Sequence, residues 1–193
     1  MKQHVKALIH LLFIVAASPL LLAYALLSLM GGTAGTISAF SQFLSLFPGK
    51  SGSYLRTAFY RYTLAHCSQH AFIGFGTLFS QTDTHVQDGV YIGPQSNIGA
   101  CSIGKNCLLG SGVHILSGKS QHNFSDLSTP IKDQGGSFTP VTIGEDCWIG
   151  NNAVIMADVG AQAVIAAGAV VVNPVPAKAI VGGNPAKVIK MRE

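Results

Sequence analysis

The sequence predicts an all-β domain, a parallel β-helix, preceded by a hydrophobic helix. Three observations predict it. From His70 onward, aliphatic residues return every six positions. Ala7 to Met30 is a 24-residue stretch without formal charge. Between the two regions, apolar residues recur at helical spacing.

The N-terminal stretch comes first. As a helix, 24 residues would be about 36 Å long, enough to cross a bilayer. It is too long for a signal-peptide core, and no convincing small-x-small cleavage site follows it, so it is expected to be retained. Pro19 lies in its middle, within Ser18-Pro19-Leu20-Leu21-Leu22, and removes a backbone donor. This leaves two arrangements: a kinked single span, or a helix broken at Ser18-Pro19 that enters and leaves by one face. The overall balance fits contact with lipid. The 193 residues are 48% hydrophobic and 10% charged, against about a quarter charged in ordinary soluble domains. Lys2, Lys6, Lys50, Arg56 and Arg61 precede the first carboxylate, Asp83. A hydrophobic, purely basic first part points to an anionic membrane surface. The remainder is close to neutral, so nucleic acid is not an expected partner.

Two short helices are expected next. Ile37, Phe40, Phe43, Leu44 and Phe47 keep helical spacing up to Pro48-Gly49. A second pattern runs from about Ser53 to His66, with Tyr54, Phe59, Tyr60 and Tyr62 among Arg56 and Arg61. Aromatic and basic residues together suit a helix in the headgroup layer; the same helix could instead plug an open end of the β-helix. Gly49-Lys50-Ser51 lacks the upstream glycine of a phosphate loop. His66 and His70 have metal-compatible spacing but no further ligands nearby, and no metal is expected. The chain therefore divides into 1–32, a membrane segment; 33–69, amphipathic or interfacial helices; and 70–193, the repeat, with a loop inserted over 119–140.

The repeat is clearest in IGPQSN-IGACS-IGKNCL-LGSGVH-ILSGKS and in IGEDCW-IGNNAV-IMADVG. Aliphatic heads fall at Ile92, Ile98, Ile103, Leu109, Ile115, Ile143, Ile149, Ile155, Ile165 and Val171. Such units cannot bury their apolar faces alone and must stack. A small residue usually stands two positions before a head, and glycine often follows it, read as a conformational requirement. Cys101, Cys107 and Cys147 occupy the small positions and Cys67 precedes the repeat. All four cysteines thus read as reduced and structural, which favours the cytosol.

These motifs resemble the hexapeptide-repeat acyltransferases, whose fold is a left-handed parallel β-helix assembled as a trimer. Handedness is implied by the resemblance alone, since general crossover rules favour the opposite hand. Leu109 to Lys190 is similar to the galactoside, xenobiotic and polysaccharide O-acetyltransferases. The shared elements are an out-looping His after Ser117-Gly118, then TIGxxxWIG, IxAGxVV and GxPAKVIK. Ser-Pro-Leu-Leu-Leu also resembles the re-entrant helix of bacterial phosphoglycosyl transferases.

The resemblance implies acetyl-CoA as co-substrate and no catalytic metal. Acyl transfer needs a base for the acceptor's proton, stabilisation of an oxyanion and a channel for the pantetheine arm. His122 matches the family's catalytic His, and a neutral imidazole suits that task near pH 7. His114, one residue before a head, is its rival and an acceptor-side candidate; His85 is a more distant one. Trp148 matches the family's outward Trp beside the cleft. Asn151 and Ala167 would lie along the pantetheine channel. Lys187 and Lys190 match residues that meet the CoA phosphates, although Val172-Asn173 stands where relatives carry Thr-Lys. For the family's acceptor-contacting carboxylate or asparagine, the early coils offer Asp83 and Asp88.

The expected function is acetyl transfer to a sugar hydroxyl of a lipid-linked or surface polysaccharide intermediate. The expected assembly is a homotrimer with active sites between subunits. An acyl-CoA donor requires a cytosolic catalytic domain, and basic flanks on both sides of the apolar stretch suit two cytosolic ends. This places the chain on the inner face of a bacterial cytoplasmic membrane, with membrane lipid as a partner. The alternatives are an N-acyltransferase on an amino sugar, a non-catalytic trimeric scaffold, and a γ-type carbonic anhydrase using His85 and His114.

Overall fold

The computed structural model describes residues 2–193, with side chains from His4 onward. It is a parallel β-helix of about six coils with three helices at its N-terminal end. The first four coils each have three short strands, so the solenoid is a three-sided prism. Three sheets form its faces. Their inward residues run Cys67, Val86, Ile103 and Ile143 on face 1; Ile73, Ile92, Leu109, Ile149, Ile165 and Val181 on face 2; and Phe79, Ile98, Ile115, Ile155 and Val171 on face 3. Isolated bridges carry face 1 on through Val159 and Val175. All these side chains are buried in one continuous core.

Two expectations about the repeat change. The first strand is His66–Cys67, earlier than the expected start at His70, and Cys67 is an inward residue of the first coil, paired in register with Val86. The ten-residue interval from Ile155 to Ile165 conceals an inward residue, Val159, four positions after Ile155. The glycines that follow heads also act differently from expectation. Gly144 and Gly150 do not have positive φ. A Cβ at either would run into the backbone of Ala161 or Ala167 in the next coil, so close stacking excludes side chains there. The left-handed residues come three positions after the head, as at Gln95, Asn106, Asp146, Asn152 and Gln162.

The open edge of the first coil is covered by α2 (Thr33–Ser45) and α3 (Gly49–Thr63). Uncovered, it would present unpaired backbone groups. The Ile73 N–H donates to Ser53 Oγ and the Phe79 N–H to Ser41 Oγ. Thr57 Oγ1 donates to the Ala71 carbonyl. Arg56 is fully buried and donates to the carbonyls of Ile73, Leu44 and Phe47 at 2.7–3.1 Å. Leu44 and Phe47 lie at the C-terminal end of α2, where the helix dipole favours a cation. Desolvation lowers the Arg56 pKa, while the three carbonyls satisfy its donors. Arg56 and Tyr60 are therefore fastened into the plug and do not face a headgroup layer.

The apolar segment forms α1 (Lys2–Gly31), one unbroken helix. Pro19 cannot donate to the Val15 carbonyl, and the Ser18 hydroxyl donates to it instead at 2.8 Å. One stripe of α1 packs on the plug. His10 and Phe13 meet Tyr54, Ala17 is buried, and Tyr24 meets Phe40 and Phe59. The other stripe leaves Leu8, Leu11, Leu12, Val15, Leu22, Leu26 and Leu29 exposed. The helix is long and apolar enough to cross a membrane by length and composition.

Candidate active site

The repeat is interrupted where face 3 turns into face 1. Between Ile115 and Ile143 the chain leaves the prism over 119–140. The excursion closes on itself, with N–H donations from Ser137 to the Ser120 carbonyl, Asn123 to Gly135 and Thr139 to Ser117. Gly136 backs onto Gln121 and His122 so tightly that a Cβ would strike the Gln121 carbonyl. At the tip, hydrogen bonds from Ser128 and Thr129 hold the Asp126 carboxyl down at about 2. His122 is exposed at the start of this excursion.

The outer side of face 3 carries a cleft of about 130 Å³ next to that start, lined by Ser80, Asn97, His114, Ser117 and Gln121. His114 and Asn97 are in register on neighbouring coils, both pointing outward. Sequence reasoning passed over Asn97. Its position, one residue before the head Ile98, is the same as that of His114 before Ile115, and that periodicity could have found it. His85 lies on face 1, paired with His66 and Ser102, away from His114.

The remaining predicted residues gather around face 2 and its corner with face 3. Trp148 is outward on face 2, half exposed, between Leu108 and Val164 in register. Asn151 and Ala167 stack on one corner in successive coils. The Gly168 N–H donates to the Asn151 carbonyl at 2.8 Å, and the Ser111 N–H to Asn151 Oδ1 at 3.0 Å. Lys187 and Lys190 lie on the C-terminal strand Lys187–Met191, antiparallel to Ala179–Gly182 and opposite Gly182 and Ile180. The Val170 N–H donates to the Gly183 carbonyl and the Ala186 N–H to the Val170 carbonyl, so this turn continues the corner above Ala167. Within one chain the residues form two groups: His114 and His122 toward one edge of face 3, and Trp148, Asn151, Ala167 and Lys187 toward the other.

The cysteines take no part in either group. All four are free and buried. Burial pushes the Cys67 and Cys101 thiols up to about 12. A hydrogen bond with Cys147, followed by burial, raises Cys107. Thiols held neutral in this way are poor nucleophiles.

Two stretches of this prism match repeat models. Residues 83–117 match the bacterial transferase hexapeptide (six repeats), and residues 140–172 match the hexapeptide repeat of succinyl-transferase. The gap between them is the excursion. Over these two stretches the chain carries hexapeptide repeats. Among similar proteins, a chloramphenicol acetyltransferase of Agrobacterium fabrum is 36% identical over 118 residues, covering 53% of this hexapeptide-repeat chain and 56% of that protein. The chain spans between a quarter and about three fifths of the length of the first curated relatives it matches. Two solved structures share the fold. A maltose O-acetyltransferase from Clostridium difficile 630 superposes with a TM-score of 0.70 at 19% identity, over 86% of this chain and 89% of that one. A galactoside acetyltransferase in complex with coenzyme A superposes with a TM-score of 0.56 at 20% identity, over 82% of each chain.

Proposed function

We propose that this hexapeptide-repeat chain is an acyl-CoA-dependent O-acyltransferase, using acetyl-CoA and acting on a sugar hydroxyl of a lipid-linked or surface saccharide. The observation that carries the reading is the corner column of Asn151, Ala167 and the Gly182–Lys187 turn. It offers successive backbone groups along one edge and ends beside Lys187, with Lys190 further along the same strand. An extended pantetheine arm with a polyanionic end needs such a track.

In this reading His122 is the base and Asn97 and His114 are acceptor-side groups. The imidazole takes the acceptor hydroxyl proton as the oxygen attacks the thioester carbonyl. The tetrahedral intermediate collapses, the C–S bond breaks, and the departing CoA thiolate receives the proton from the imidazolium. Trp148 would form a wall of the cleft. The exposed apolar stripe of α1 would hold the enzyme on the inner face of a bacterial cytoplasmic membrane.

Release of free CoA thiol from acetyl-CoA, measured with a panel of mono- and disaccharides, tests the reading. Removing a general base costs about 100-fold or more, so His122→Ala should abolish most acceptor-dependent release while CoA binding persists. Unchanged transfer in His122→Ala, or no acetyl-CoA binding by the wild type, would refute it. Amino-sugar acceptors in the same panel separate O- from N-acyl transfer.

A further inference from the structure

A second polar site lies at the other end of the molecule, where α1 meets the plug. Two adjoining cavities of about 230 and 350 Å³ open between the first turns of α1, the start of α3 and the first coil. Lys6, His10, Gln69 and His70 line both. Lys50 and Tyr54 close the first, and Arg61 closes the second. No carboxylate lines either cavity, and none occurs in the first 82 residues.

Cations are normally spread over a surface or paired. Here three permanent cations and two imidazoles converge on a recess. Arg61 Nη1 donates to Gln69 Oε1 at 3.0 Å, and Gln69 Nε2 lies 3.3 Å from His70 Nε2. His10 Nε2 is buried against the Tyr54 and His70 rings and has no hydrogen-bond partner among the described residues. Asp88 lines a neighbouring groove together with Arg61, Gln69 and His70, and accepts from Ser68 Oγ at 2.7 Å. The recess thus has excess positive charge on donors that converge, the arrangement that recognises a phosphate.

Its position identifies the carrier. Leu11 and Ile14 of α1 line the second cavity, and Leu11 belongs to the exposed stripe. If that stripe is immersed in lipid, the recess lies at headgroup depth. We propose that it binds the phosphate or diphosphate group of a membrane-lipid headgroup. This goes beyond the acyl-transfer reading and does not rest on it.

Calorimetry on the detergent-solubilised full chain tests the proposal, using dihexanoyl phosphatidic acid, dihexanoyl phosphatidylcholine and inorganic pyrophosphate. Phosphatidic acid should saturate, and Lys50→Ala and Arg61→Ala should each weaken it about tenfold. Lys105→Ala, exposed on a distant corner, should bind like the wild type. Both site residues are exposed, so unchanged melting of the variants would confirm intact folding. Binding tighter to phosphatidic acid than to pyrophosphate assigns the site to lipid; equal binding assigns it to a free anion and overturns the lipid assignment. The site itself is overturned if neither anion saturates, if both variants bind like wild type, or if phosphatidylcholine binds as well as phosphatidic acid.

Discussion

Arg56 carries a positive charge into an interior where no carboxylate awaits it. Its stability depends on three carbonyls, two from the end of α2 and one from the first coil, so this single side chain ties two helices to the prism. Replacing it with methionine keeps much of the packing and removes the donors. Arg56→Met should cost about 3 kcal/mol, because charged hydrogen bonds are lost and buried carbonyls are stranded. Urea unfolding in detergent measures this, and a loss below about 1 kcal/mol would show that water replaces the guanidinium. Arg56→Lys should recover only part, since an ammonium lacks the planar fork. This role was not legible in the sequence. Arg56 and Arg61 share an aromatic-basic pattern, yet one is buried and the other exposed, because the difference depends on where the carbonyls of distant residues end.

At the scale of elements, the irregularities of the repeat all fall on one edge. From face 1 to face 2 and from face 2 to face 3, inward residues are always six apart, as in Ile143, Ile149 and Ile155. From face 3 to face 1 the interval is seven at Phe79 to Val86, five at Ile98 to Ile103, and four at Ile155 to Val159 and at Val171 to Val175. The regular corners contain the left-handed residue three places after the head, which fixes their length. The variable edge is where 119–140 is inserted. The six-residue rhythm was therefore legible at most corners of fixed geometry, and Val159 was missed where the interval changes; Cys67 was missed although it stands six before Ile73, because it lacks the glycine that follows many later heads. Their burial has a measurable consequence. Cys67 and Cys101 titrate near 12 in the fold against 9.0 for a free thiol, and burial raises Tyr60 as well. Folded pKa values above the unfolded ones contribute stability that is full below about pH 9 and is lost as pH rises toward 12. The melting temperature should fall across that window, and Cys67→Ala and Cys101→Ala should flatten the fall. A wild-type curve that stays level to pH 12 would contradict the assignment.

The whole molecule sets three features along the prism: α1 and the plug at one end, the face 3 cleft in the middle coils, and the basic strand at the far end. The types of residue in the candidate site were legible from their motifs, but their distribution was not. His122 and Ala167 each belong to a short motif, yet they lie toward opposite edges of face 3. A chain folded as a prism cannot bring its own two edges together. Two copies packed side by side can oppose one chain's His122 edge to its neighbour's Asn151–Ala167 corner, and a closed ring then builds identical sites. If transfer works this way, two inactive variants should rescue each other. His122→Ala lacks the base, and Ala167→Trp fills the exposed corner without entering the core. Co-expressed in equal amounts, they should assemble randomly, and roughly a quarter of the sites would combine an intact base from one copy with an intact corner from another. Acetyl-CoA turnover by the purified mixture should therefore reach roughly a quarter of the wild-type value, with either variant alone near background. Light scattering establishes that the mixture assembles as the wild type does. With assembly intact, a mixture as inactive as its parents would mean that base and channel act within one chain, which would require the 119–140 excursion to carry His122 across face 3.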